Sequence, residues 1–361
     1  MTLQELLSNA QAYQVFLNTA AEQFDTPLWS RYMVEKYVNS LSWKALQGTV
    51  REVAAGTIKD FSSGKPVKTR PTLGQATGDI PSMGDQWQMT PKQLRDMLDI
   101  ANTANFVGAN QTQVLLDYLF PEVRKAALSP QKRLDWILLQ SISTGGVIVN
   151  TTSNPDGVVW TIDWGITPTH VSVAAWAVGT TTSVPITDFR AILETRRAAG
   201  IPTAAIAMNW NTWNKMVSSS QILSNLGIRI QTGNKLIVAS AVNTVTVDML
   251  NIYFDSIGLP SVIIIDAPIR IESSKGTTTA VQGFADDRVA FLPSLELGEL
   301  QWTYANEQRI PDKIKTYGTV NNVLVAQYLK ESNFYTEYEF NAFPVLNAAA
   351  EISIMHTDAT S

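Results

Sequence analysis

The chain reads as an α+β protein with an α/β middle, and three shifts of pattern predict this. Helical spacing dominates the first 146 residues around one basic stretch, strands and helices alternate from 147 to about 265, and the remainder is mostly strands and turns. With 361 residues, 45% hydrophobic content and ten Trp, the chain can bury a sizeable core spread over two or three lobes.

Residues 2 to 24 open the chain with Leu3, Leu6, Leu7, Ala10, Tyr13, Phe16, Leu17, Ala20 and Phe24 at three-and-four spacing, which draws one apolar stripe along a helix. Trp29, Tyr32 and Tyr37 follow. From Lys44 to Arg70 six basic residues (Lys44, Arg51, Lys59, Lys65, Lys68, Arg70) face two acidic ones (Glu52, Asp60), a local balance of +4 in an acidic chain. Val50, Val53, Ile58, Phe61 and Val67 give this stretch strand character, and Ser62-Ser63-Gly64-Lys65-Pro66 is a turn, so a two-stranded hairpin is expected. A lone hairpin is marginal in water, so this one should lean on a partner.

Residues 71 to 90, with three Gly and two Pro, are expected to form a loop. Thr90 then supplies an N-cap with Pro91 at the first helical position, and Leu94, Met97, Leu98 and Ala101 share a face. A second helical block runs from about Gln111 to Ser143, where Pro121 and Pro130 should end or kink it, and Gly145 should cap its C-terminus. Val147 to Val149 and Val158 to Trp164 read as strands around the turn Asn154-Pro155-Asp156-Gly157. Next come a helix from Thr187 to Ala199 closed by Gly200, a strand from Ala204 to Met208, a helix from Asn211 to Leu226 ended by Gly227, and a buried strand from Val262 to Ile265. Beyond Ile269 the strand candidates are Val281, Val289 to Phe291, Leu300 to Tyr304 and Ala350 to Met355. No period of about 20 to 50 residues points to a solenoid or propeller.

Composition argues against chemistry. The chain has no Cys, two His (His170 and His356) and 16% charged residues, where about 25% is usual. Disulfides, thiolate metal sites and a Cys nucleophile are excluded, and the absence of Cys fits synthesis in the cytoplasm. The net charge of -5 gives no electrostatic footprint for tight nucleic-acid binding. The N-terminus lacks a basic segment followed by an apolar one, and no window approaches about 18 continuous apolar residues, so neither a secretion signal nor a membrane span is expected.

No local motif reverses that reading. His170, at a strand entry, has no identifiable orienting carboxylate, and His356 near the end is expected to be frayed. Two His do not make a metal site. Asp286-Asp287 reads as a turn rather than a catalytic pair. Ser63-Gly64-Lys65 lacks the upstream glycine of a P-loop, and no Gly-x-Gly-x-x-Gly occurs. Trp210 and Trp213, three apart on a helix, read as one core face. No catalytic, metal or cofactor residue is assigned and no cofactor is expected. The basic hairpin alone carries a sharper expectation, with Arg51, Lys59, Lys65, Lys68 and Arg70 as candidate contacts to an acidic neighbour, another copy of the chain included.

Four segments, in order, carry a family resemblance: Arg133 to Trp136 through Gln140 to Gly146, Ile162-Asp163-Trp164-Gly165, Phe291 to Gly298, and Phe343-Pro344-Val345-Leu346-Asn347. Together they resemble the major capsid proteins of tailed bacteriophages, specifically the lambda-like E family. The resemblance implies an HK97-like fold, with an N-arm (1–43), an extended E-loop hairpin (44–90), the spine-helix side of a P-domain (91–150), an α/β A-domain (151–300) and C-terminal strands returning to the P-domain (301–361). It implies a non-enzymatic subunit that assembles as hexamers and pentamers into an icosahedral shell around packaged double-stranded DNA, located in the virion and built in the host cytoplasm. Implied partners are further copies, a scaffolding protein, a decoration protein and a portal, with only weak contact to DNA and none to membrane. The helix begins at the N-terminus and leaves no room for a fused scaffolding extension, so the scaffold is expected to be separate. Some relatives cross-link covalently through a Lys and an Asn, but nothing marks Lys59, Lys65 or Lys68 as reactive. The competing readings are a hydrolase on the α/β middle with His170 as base, and a monomeric carbohydrate-binding module using Trp160, Trp164, Trp210 or Trp213.

Overall fold

The computed structural model describes residues 9–22, 24–47, 74–106, 111–166, 171–173, 176–177, 182–232, 245–274 and 276–358. Helix α1 (Ala10–Ala21) starts at Asn9, whose side chain accepts hydrogen bonds from the backbone of Gln11 and Ala12, and it buries Tyr13, Phe16, Leu17 and Ala20 as its stripe predicts. A short 3-10 turn (Leu28–Arg31) buries Trp29 and leads into strand β1 (Met33–Tyr37). Strand β2 (Ser42–Gln47) then pairs antiparallel with β3 (Gly74–Asp79), in register from Ser42↔Asp79 to Gln47↔Gly74.

The expected loop at 71–90 is instead largely strand: β3 is followed by β4 (Ser82–Met83) and β5 (Gln86–Met89). Its glycines serve close packing rather than turning. A Cβ on Gly78 would lie 2.8 Å from the Trp43 indole, and one on Gly84 would lie 2.9 Å from the Tyr338 carbonyl oxygen. Helix α2 (Pro91–Phe106) begins as expected, with Thr90 and Gln93 forming a reciprocal cap at 2.9 and 3.4 Å.

Helix α3 (Gln111–Thr144) does not end at Pro121 or Pro130, since helical backbone continues through both. Two interior prolines cost on the order of 3 kcal/mol each. Burial of Leu119, Val123, Ala126, Ala127, Leu134, Ile137, Leu138, Leu139 and Ile142 offsets this, at about 1.5–3 kcal/mol for each large side chain. At 34 residues the helix is about 50 Å long. It ends where expected, at Gly145 with φ +76°, whose N–H reaches the Ser141 carbonyl at 3.1 Å. Strands β6 (Gly146–Val149) and β7 (Trp160–Asp163) then form the anticipated hairpin.

A five-stranded sheet organises the middle of the chain. Its strands are β8 (Val171–Val173), β9 (Ala205–Met208), β10 (Ser261–Ile264), β13 (Arg288–Leu292) and β18 (Ser353–His356), in the order β10-β9-β13-β18-β8. Around it lie α4 (Pro185–Ala198), α5 (Trp210–Val217), α6 (Ser220–Thr232) and α7 (Val247–Ser256). The single helix expected over 211–226 is therefore two, divided where Ser219 Oγ accepts the Ile222 N–H at 3.4 Å, and Gly227 lies inside α6 rather than ending it. The strand pleat sorts this sheet between two cores. Val289, Phe291, Ile206, Met208 and Met355 face the core under α4 to α7, while Ala290, Leu292, Ala207 and Ile354 face the core that contains α3. His356 is not frayed: it pairs with Arg288 and Val173 in this sheet.

Between these strands β11 (Ile269–Ser274) and β12 (Thr277–Val281) form a separate hairpin. The larger sheet is built on β17 (Asn333–Val345), whose 333–339 portion pairs with β16 (Val323–Lys330) and whose 341–345 portion pairs with β14 (Gly298–Thr303). Strands β4 and β5 pair with β17 as well, β15 (Thr316–Val320) pairs with β16, and β1 lies parallel to β14. The short helix α8 (Asn306–Arg309) links β14 to β15. Of the C-terminal strands, those up to Val345 belong to this sheet, while β18 completes the five-stranded one.

Candidate functional site

In an α/β sheet the crevice at the carboxyl ends of the strands is where ligands bind. Here β8, β9, β10 and β18 all point their carboxyl ends to one edge. The polar groups gathered there satisfy one another. Asn209 donates to Asp286 at 2.5 Å and caps α5 by accepting from the Thr212 N–H at 2.9 Å. Lys215 pairs with Asp287, Thr357 Oγ1 donates to Asp287 at 3.3 Å, and Arg288 pairs with Asp358 at 2.8 Å. Asp287 sits at φ +57° in the expected turn. Burial and the neighbouring Arg288 charge hold the His356 imidazole below its ordinary pKa. The network pins α5 and the residues after β18 to the start of β13. Among the described residues no group of three or more His, Cys, Asp or Glu could hold a metal. His170 lies outside the described residues.

The tryptophans do not form an exposed platform. Trp213 is buried while Trp210, 6.4 Å away edge-on, is 47% exposed, so the pair does not share one core face as the spacing suggests. Trp164 is buried, and Trp160 packs edge-on against Phe343.

The four segments that carry the family resemblance converge in space. The Trp164 N–H donates to the Gly145 carbonyl at 3.0 Å, and Trp164 stacks on Phe343 at 6.1 Å. A Cβ on Gly298 would lie 2.0 Å from the Val345 carbonyl oxygen, so only glycine fits there. Trp43 enters the same cluster from β2, stacked on Phe343 at 5.3 Å and tilted against Trp164 at 5.5 Å.

That contact anchors the base of the predicted hairpin. The buried Gln301 side chain adds a second anchor by accepting from the Lys44 N–H at 3.1 Å and donating to the Lys44 carbonyl at 2.9 Å. An amide held this way acts as an extra peptide unit joining the β2 ladder to β14. Strands β2 and β3 thus lie side by side, with residues 48–73 between them in sequence. The candidate contacts Arg51, Lys59, Lys65, Lys68 and Arg70 lie in that segment, outside the described residues. Sequence reasoning missed Gln301. A buried Gln between Leu300 and Trp302 leaves no periodic signal.

Two further surfaces stand out. A cleft of about 310 Å³ is lined by Asp85, Glu307, Glu337, Glu339 and Tyr338 among others. Lys315 bridges Glu307 at 2.6 Å and Glu337. Burial works against the Lys315 charge, but the two carboxylates outweigh it and hold the ammonium above the ordinary lysine range. Elsewhere, large apolar side chains face outward: Ile148, Val158 and Val159 on the β6–β7 hairpin, and Ile310 and Ile314 beside α8.

No protein-family model matches the chain, and no curated protein matches it significantly. Solved structures do. A protein assigned as a prophage capsid protein from E. coli CFT073 matches with a TM-score of 0.56 at 11% identity, over 96% of this chain and 98% of that one. A phage-related protein from Bordetella bronchiseptica RB50 matches with a TM-score of 0.48 at 11% identity, over 96% and 97% of the two chains. A chain of the satellite phage P4 procapsid matches with a TM-score of 0.46 at 11% identity, over 96% and 90%. The shared fold rests on the first of these, and it is the HK97-like α+β fold expected from the four segments.

Proposed function

We propose that this chain is a phage or prophage major capsid subunit, whose function is to assemble with copies of itself. The observation that carries this is the end-to-end match of its fold to a prophage capsid protein. Fold alone is an analogy. Two properties of the chain support the step to function. Charged residues make up only 16% of it, as suits a subunit that hides much of its surface against neighbours, because permanent interfaces are depleted in charge. Its outward apolar side chains fall on separate elements, the β6–β7 hairpin and the segment after α8, as suits a subunit that contacts more than one neighbour.

In this reading residues 1–43 are the N-arm, 44–90 the E-loop, 91–150 the spine side of the P-domain, 151–300 the A-domain and 301–361 the returning C-terminal strands. The paired β2 and β3 support an arm that leaves the body as a hairpin. Arg51, Lys59, Lys65, Lys68 and Arg70 would meet acidic surface on a neighbouring copy. The lambda-like E family is the proposed group, hexamers and pentamers the capsomers, the virion the location and the host cytoplasm the place of assembly. A scaffolding protein, a portal and a decoration protein are the proposed partners, with packaged DNA touched only weakly, as suits a net charge of -5. The subunit performs no catalysis in this account.

Sedimentation velocity tests it. Protein expressed with its scaffold should sediment as capsomer rings and shells, and a single-chain boundary at every concentration and salt would overturn the proposal.

A further inference from the structure

A β-sheet edge exposes a row of unpaired N–H and C=O groups that invites another strand. Among the described residues β15 pairs only with β16, so its other side is such an edge. Helix α1 lies across it. The Gln14 side chain accepts from the Thr319 N–H at 2.9 Å and donates to the Thr319 carbonyl at 2.8 Å, which are the two bonds a neighbouring strand would make. Gln14 Nε2 also donates to Asn18 Oδ1 at 2.8 Å, one helical turn on, so the amide's orientation is fixed from both ends. The close approach depends on Gly318, where a Cβ would lie 2.3 Å from Leu17 Cδ1 and 3.2 Å from Tyr13 Cδ1. Thr319 itself is exposed.

We propose that α1 is an edge cap, with Gln14 occupying the backbone groups of Thr319 so that β15 does not add a strand from a second copy of the chain. The occupant excluded is a second copy because association of identical chains by edge pairing needs no new surface, only a free edge. The proposal stands whether or not the chain builds a shell.

The test compares Gln14→Ala with Gln14→Ala/Thr319→Lys, at concentrations where the parent stays unassembled. Gln14→Ala removes the amide that occupies Thr319 and so weakens the hold of α1 on the edge, and Thr319→Lys places an edge-blocking charge on an exposed position. Gln14→Ala should speed hydrogen exchange of the Thr319 amide by about fivefold or more. It should also convert protein to larger, β-richer species measured by light scattering and circular dichroism. The added lysine should abolish the association while Thr319 exchange stays fast. Unchanged exchange, fast exchange without association, or association that the lysine does not reverse would each overturn the proposal. Thr319→Lys alone, with the parent's melting curve, guards against misreading simple unfolding as edge pairing.

Discussion

Arg196 is the sharpest test of how the five-stranded sheet holds the chain's end. Its side chain is buried to 2% exposure at the end of α4 and donates four hydrogen bonds. Nε reaches Thr203 Oγ1 at 2.7 Å, Nη1 reaches the Glu351 carbonyl and Ser353 Oγ at 2.7 Å each, and Nη2 reaches the Pro202 carbonyl at 2.6 Å. These ties bind the segment after α4 to the residues that open β18. Burial lowers the guanidinium pKa to about 10, with Glu351 opposing the shift, so the charge itself is a cost at neutral pH while its bonds repay it. Arg196→Ala opens a cavity and orphans buried acceptors, for about 3–5 kcal/mol. Arg196→Met keeps the volume and sheds the buried charge but still orphans the acceptors, for about 1–3 kcal/mol. At roughly 2 °C per kcal/mol for a large domain, the melting temperature should fall by about 6–10 °C and 2–6 °C respectively in calorimetry. A lowered folded pKa contributes stability that is already lost once pH has fallen below about 10, so both losses should be constant across pH 6 to 9. Two variants melting within 1 °C of the parent, or Met costing more than Ala, would refute the reasoning.

Three further outcomes are expected. Trp43→Ala should cost about 3–5 kcal/mol in chemical denaturation, because the side chain is buried against Phe343 and Trp164; a loss under 1 kcal/mol would show that the hairpin base is not anchored there. Asp135 is buried and accepts the Trp29 N–H at 2.8 Å, so Asp135→Ala should cost about 1–3 kcal/mol. Burial raises its pKa, with the Trp29 N–H opposing, so its contribution to stability is full below about 3.9 and declines as pH rises through the folded value; Asp135→Asn should lack that decline, and parallel stability curves from pH 4 to 7 would contradict this. Deleting residues 59–68 should leave a subunit with the parent's circular dichroism that assembles poorly, and normal particles by light scattering would show the arm dispensable.

Much of the fold was legible where local chemistry fixes an element's end. Thr90 with Pro91, Gly145 and Gly200 mark helix boundaries because capping uses the orphan backbone groups of one turn. The misreadings share a cause, which is tertiary packing overriding a local signal. Glycines at 78 and 84 looked like turns because the Trp43 ring and the Tyr338 carbonyl that need the space are distant in sequence. Pro121 and Pro130 read as places where the helix ends or kinks, because the core that holds α3 together comes mostly from distant strands. The same holds for the amides of Gln14 and Gln301, whose partners are 305 and 257 residues away. The candidate arm residues from Arg51 to Arg70 rest on their charge pattern alone.

The central claim is assembly, and electron microscopy of the purified protein, expressed with its scaffolding partner, tests it most directly. The account predicts closed icosahedral shells or the capsomer rings that build them. Fields of single-chain particles under every assembly condition would contradict it.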